Sequence, residues 1–166
     1  PLPPSMVTDL RWGSGTDWNS TSESFNTYDY SAAARFENGK SILFDISGSN
    51  ATAINISSDI APSVVYAMCP LGHDYTWTGT GKISGTMNLW KSMNGTLTVN
   101  KDLDYTGTTV ISEGTMAING KLASRLDLRA KGTLAGNPIL NDTTLFEGAL
   151  NYEGCRLAPG TTDAPY

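Results

Sequence analysis

Between Asn94 and Gly136 the phrase glycine-threonine followed by a large apolar residue occurs three times, at Gly95, Gly114 and Gly132, at spacings of 19 and 18 residues. That recurrence constrains the fold more than any other feature of the chain. Short β-prone runs fill each interval (TLTV, TTVI, TMAI, KLASRLDLRA), and Gly, Asn or Asp follows them. Hairpins would give turn signals every ~8–12 residues and no constant larger period. A constant period of ~20 residues means that each unit is one circuit of a solenoid. Equivalent strands then stack in parallel at about 4.8 Å. The register predicts Leu97 and Val99, Met116 and Ile118, and Leu134 as one continuous core column. The threonines beside the glycines face outward, where β-branched ladders suit a pleated surface. Glycine is read as the corner residue, reaching backbone angles that others avoid.

Composition agrees with a turn-rich β protein. The chain has 166 residues, 39% hydrophobic and only 16% charged, below the roughly 25% charged of an ordinary domain. No segment keeps apolar residues at helical spacing for three turns, so almost no helix is predicted. The formal net charge is −5, and the densest basic cluster (Lys121, Arg125, Arg129, Lys131) has Asp127 inside it. Neither a basic stripe interleaved with aromatics nor an apolar run near ~18 residues occurs, which argues against nucleic-acid partners and membrane insertion by a helix. Five N-x-[ST] sequons (Asn19, Asn50, Asn55, Asn94, Asn141) matter only in a eukaryotic secretory pathway.

Along the chain, residues 1–35 are polar and irregular with Trp12 and Trp18 as anchors, and are read as an N-terminal capping segment. Residues 36–160 carry the β texture, and 161–166 are read as a linker to a following domain. Cys69 and Cys155 lie 86 residues apart, about four coils. Four coils separate them by ~20 Å along the axis, whereas a disulfide needs Cα atoms within about 7 Å. Two free thiols are predicted.

The run GTGKISGTMNLWKSMNGTLTVNKDLDYTGTTVISEGTMAINGKL, from Gly79 to Leu122, resembles the autotransporter-associated β-strand repeat of bacterial surface proteins. The matching phrases are Gly79–Gly85, Leu89–Val99, Asp104–Thr108 and Gly114–Leu122, with RLAPG at Arg156–Gly160 similar to the family's L-x-P-G. Lys-Ser-Met at Lys91–Met93 departs from the usual Lys-x-Gly. The resemblance implies a single-stranded right-handed parallel β-helix on an exported protein; dividing the chain length by the repeat period gives about seven to eight coils, with residues 1–35 as the N-terminal cap. It also implies a cell-surface, periplasmic or extracellular location in a Gram-negative bacterium, adjacent domains of the same chain as partners, and no catalytic residues in the repeat.

Three constellations carry residue types suited to chemistry. Asp102 and Asp104 share a strand face, and Arg125, Asp127 and Arg129 alternate one coil later, the residue types of a calcium-dependent polysaccharide lyase. The competing reading is a solvated wall of weak ion pairs. Cys69 and His73 in CPLGH offer two metal ligands where zinc needs three or four, so no metal or other cofactor is predicted and His73 is read as a turn residue. Tyr75 and Trp77 share a face and, with Trp90, form a candidate glycan platform; the competing reading buries them as cap or core. The sequence therefore predicts a non-catalytic spacer module of an exported multidomain protein, with a polysaccharide-degrading parent favoured narrowly. A glycan-binding module and a fragment of a polysaccharide lyase or autotransporter passenger are the alternatives.

Overall fold

The computed structural model describes residues 8–48, 51–140, 146–147 and 156–159. Among these residues the chain is all β apart from one 3-10 turn at Ile46–Gly48. It winds as a parallel β-solenoid with three ladders per turn. The first wall stacks β1 (Leu10–Trp12), β4 (Ser41–Phe44), β6 (Val64–Met68), β8 (Asn88–Ser92) and the first halves of β10 (Thr108–Ile118) and β12 (Arg125–Gly136). The second stacks β5 (Ala53–Asn55), β7 (Tyr75–Thr78), β9 (Thr96–Val99) and the second halves of β10 and β12. The third is a column of single bridges, Ile60–Ile83–Leu103–Leu122, prolonged where β11 (Lys121–Leu122) pairs with β13 (Ile139–Leu140). At the far end β14 (Phe146–Glu147) and β15 (Arg156–Pro159) add to β12. Near the start β2 (Phe25–Thr27) and β3 (Ala33–Ala34) add antiparallel to β1.

Turns with all three ladders begin at Ile42, Val65, Leu89, Thr109 and Leu126, five in all. Dividing the length by the repeat period gave seven or eight. The difference lies upstream: the turns before Leu89 are longer than the repeat, and the chain between β1 and β4 detours through antiparallel β2 and β3.

The repeat keeps its predicted register. Thr96 pairs with Thr115 and Thr115 with Thr133; Leu97, Met116 and Leu134 form the next rung set, with Val99 and Ile118 beyond. All five predicted core residues are buried, and the three threonines sit half-buried on the outer face. The role of glycine needs correction. Of the three repeat glycines only Gly114 has a positive φ, 72°. At Gly95 and Gly132 the requirement is space: an added Cβ would lie 2.5 Å from the Pro70 carbonyl oxygen and 2.3 Å from that of Ile111. Each glycine lets one corner settle onto the backbone of the turn before it.

Inward side chains alternate along each strand and stack between turns, so Ile42, Val65, Leu89 and Leu126 form one column and Ile60, Ile83, Leu103 and Leu122 another, all essentially inaccessible to water. Burial of each such side chain stabilises by about 1.5–3 kcal/mol. Toward the N-terminal end the column becomes aromatic. Trp18 lies 5.8 Å from Phe36, 5.2 Å from Phe44 and 5.5 Å from Trp77 between ring centroids, and Trp12 lies 5.0 Å from Phe25. One polar cluster interrupts the core: the Thr109 hydroxyl bonds the buried Tyr105 hydroxyl and that of Ser124 at 2.6 Å. Cys69 is a buried free thiol; Cys155 lies outside the described residues.

Candidate functional site

The three rings expected to form a glycan platform do not come together on the surface. Tyr75 and Trp77 are buried, facing inward from the second wall. The Tyr75 hydroxyl donates to the Asp45 carbonyl oxygen at 2.5 Å, and the Trp77 ring packs 5.5 Å from Phe44. Neither ring has a face left for a sugar, because period-two alternation turns both into the aromatic core. Trp90 alone faces outward, on the first wall, with the Arg129 guanidinium 5.1 Å from its ring centroid.

The lyase-like charges are likewise divided. Arg129 pairs with Asp127 at 2.9 Å on the first wall. Asp102 and Asp104 flank the buried Leu103 of the third ladder and, with Lys82 and Lys101, line a cleft of ≈ 260 Å³ beside the Gly79–Gly81 loop. The Lys101 ammonium donates to the carbonyl oxygens of Gly79 and Gly81, and burial lowers its pKa. Asp102 Oδ1 accepts the Lys121 backbone N–H at 2.8 Å. Both groups therefore hold one turn against another.

Asp102 belongs to a series. Side-chain oxygens of Asp9, Asn38, Asp59, Asp74, Asn88, Asp102 and Asn119 accept backbone N–H groups of Ser41, Ala61, Lys82, Thr96, Thr108, Lys121 and Asn137, at 2.6–3.2 Å. Each acceptor lies 18 to 32 residues before its donor, one turn earlier. Corners interrupt the strand ladders and leave such N–H groups without sheet partners, and a short Asn or Asp side chain reaches them.

Lys91 escaped sequence reasoning although a signal was present: alternation from Met87 and Leu89 points it inward. It is fully buried, and its ammonium donates to the carbonyl oxygens of Ser92, Met93 and Glu113 at 3.0, 2.8 and 3.1 Å. Burial lowers its pKa and pushes the neighbouring Cys69 thiol up to about 11, which keeps that thiol protonated and unreactive at neutral pH. His73 closes a turn, its N–H donating to the Pro70 carbonyl oxygen at 3.0 Å, and its Nε2 lies 3.2 Å from the Tyr75 hydroxyl. Among the described residues no group of three or more His, Cys, Asp or Glu side chains is arranged to hold a metal ion, and no helix is long and apolar enough to cross a membrane.

Comparison with protein-family models, curated proteins and solved structures finds no match.

Proposed function

We propose that this chain is a non-catalytic structural module, a rigid spacer within an exported multidomain bacterial protein. The observation that carries this reading is the series of Asn and Asp side chains that tie turn to turn. Asp102, one of the carboxylates of the lyase-like set, is one of them. A repeated bond at the corners of a continuous core suits a part whose job is to hold length and shape. The resemblance of Gly79–Leu122 to the autotransporter-associated repeat supports export to the surface, periplasm or exterior of a Gram-negative cell. Adjacent domains of the same chain are its partners, and a polysaccharide-degrading parent is favoured narrowly over an autotransporter passenger. Winding is right-handed, as in about 98% of crossovers between parallel strands of one sheet. The aromatic cluster of Trp12, Trp18, Phe25 and Phe36 acts as the N-terminal cap, and partial coils through β1 and through β14 with β15 bring the count to about seven, the lower of the two expected values.

The test is the mass and terminal peptides of the native polypeptide, with the isolated module assayed on a panel of polysaccharides. A longer chain with a separate enzymatic domain, and an inert module, is the expected result. Depolymerisation by the module, lost in Asp102→Ala, would overturn the proposal.

A further inference from the structure

Asparagine followed by glycine occurs three times in the chain, at Asn38–Gly39, Asn94–Gly95 and Asn119–Gly120. Such a pair can modify itself. The glycine amide nitrogen attacks the asparagine Cγ, and with no Cβ on the glycine nothing crowds the approach. A C–N bond forms, the Cγ–Nδ2 bond breaks, and Nδ2 leaves as ammonia with the proton given up by the glycine nitrogen. The product is a cyclic imide, which water opens at either carbonyl. Opening at the side-chain carbonyl gives aspartate. Opening at the main-chain carbonyl gives isoaspartate, whose backbone runs through Cβ and is longer by a methylene. All three asparagines are exposed, so access to water does not separate them. Hydrogen bonds do. Asn38 Oδ1 accepts the Ala61 N–H at 2.9 Å, and the Gly39 N–H donates to the Ala61 carbonyl oxygen at 2.8 Å. The Asn119 amide is held on both sides: Oδ1 accepts the Asn137 N–H at 3.2 Å, and Nδ2 donates to Asn100 Oδ1 at 2.8 Å. Cyclisation at either pair must break two bonds. Among the described residues the Asn94 amide has no hydrogen-bond partner. The one bond to be broken there is that of the Gly95 N–H, which donates to the Cys69 carbonyl oxygen at 2.8 Å.

The residue before Asn94 adds to the difference. Met93 has a φ of 66°, in the left-handed region that a residue with a Cβ enters only under strain. Opening of this tip releases that strain. We propose that Asn94 is a self-modifying site, converted to aspartate and isoaspartate ahead of Asn38 and Asn119, and that its conversion loosens the turn from β8 to β9. The corner has no slack for a longer backbone. On one side the Lys91 ammonium holds the Met93 carbonyl oxygen at 2.8 Å; on the other, Asp74 Oδ1 holds the Thr96 N–H at 2.6 Å. Between these fixed points Gly95 is buried so closely that an added Cβ would lie 2.5 Å from the Pro70 carbonyl oxygen. An isoaspartate inserts its extra methylene in this interval and moves the Gly95 N–H off the Cys69 carbonyl oxygen. The change runs one way, because the ammonia is lost to solvent.

The experiment is peptide mass spectrometry of the full chain, kept folded at neutral pH and sampled as it ages. Trypsin places the three pairs in separate peptides, 36–40, 92–101 and 102–121. Asn94 converts about fivefold faster than either other site, the difference that one ordinary hydrogen bond makes, and isoaspartate is among its products. In urea, where those bonds are gone, the three pairs convert at similar rates. Asn94→Gln, whose longer side chain closes the ring far more slowly, stops conversion at this corner. Fresh Asn94→Gln unfolds at the same urea concentration as fresh wild type, since the replaced amide bonds nothing. Aged wild type unfolds at a lower urea concentration, and aged Asn94→Gln keeps its midpoint. Conversion led by Asn38 or Asn119, or equal at all three sites of the folded chain, would overturn the proposal. So would the folded order of rates persisting in urea, which would assign the difference to neighbouring residues and not to the fold. A converted Asn94 with an unmoved midpoint would overturn the loosening of the turn.

Discussion

Asp102 Oδ1 accepts the backbone N–H of Lys121, one turn further along the solenoid, at 2.8 Å. The carboxylate sits on an exposed corner, so the bond contributes at the low end of the usual net range, about 0.5–1 kcal/mol. Asp102→Ala lowers the unfolding free energy by that amount, read as a lower urea midpoint at unchanged slope, and Asp102→Asn, which keeps an acceptor oxygen, recovers most of it. Asp74→Ala, at another corner, adds its loss independently when the two are combined. An unchanged midpoint in both alanine variants would show that the corner bonds hold nothing.

The glycines separate two physical requirements. Gly72 has a φ of 83° but open space around its Cα, whereas at Gly132 a new Cβ would lie 2.3 Å from the Ile111 carbonyl oxygen. Gly72→Ala costs about 1–2 kcal/mol through backbone strain. Gly132→Ala forces two turns apart and costs about 2–3 kcal/mol, as overpacking does elsewhere. Thermal or urea unfolding ranks them, and a smaller loss at Gly132 would mean that the stacked corners yield easily.

Tyr105 is buried in the core with its hydroxyl on Thr109, and burial pushes its pKa up to about 12. Tyr105→Phe removes one member of the Tyr105–Thr109–Ser124 chain but leaves the 2.6 Å bond between the other two, so it costs about 1 kcal/mol. Ultraviolet titration of the folded wild type shows one phenol that ionises near pH 12, absent from the variant. Ionisation of all tyrosines in the ordinary range would place that ring in water.

Acid stability depends in part on Asp9. Hydrogen bonds from the Ser41 backbone N–H and hydroxyl, with Lys40 at 3.7 Å, hold its pKa below the ordinary 3.8. A carboxylate whose pKa is depressed by folding stabilises the protein above its unfolded pKa, and that contribution is lost as pH falls through the folded value. The difference in stability between wild type and Asp9→Asn is therefore constant near neutrality and shrinks as the solution is acidified below pH 3.8. A difference that stays constant down to the acid transition would remove Asp9 from that transition.

Much of the architecture was legible because it is periodic. Gly95, Gly114 and Gly132 mark successive turns, and alternation correctly sent Leu97, Val99, Met116, Ile118 and Leu134 inward. The same alternation turns Lys91 inward, and the three carbonyl oxygens gathered around its ammonium make that burial tolerable. The candidate site was less legible. Tyr75 and Trp77 share a strand face in sequence, yet nothing local says whether that face is inner or outer, and packing against Phe44 and Trp18 decides it.

By itself the sequence determined the class of fold, the direction of stacking and the register of the repeat. Those follow from hydrophobic periodicity and from the return of glycine once per turn at Gly95, Gly114 and Gly132. The tertiary structure decided the number of complete turns, because the detour through β2 and β3 and the long early turns carry no fixed period. It also decided which residues meet across turns, bringing Asp102 to Lys121 and aligning Arg11, Leu43, Tyr66, Trp90, Val110 and Asp127 in one row. Those six residues are spread over most of the chain at unequal intervals. Hydrogen bonding between parallel strands, not sequence spacing, sets which of them are neighbours.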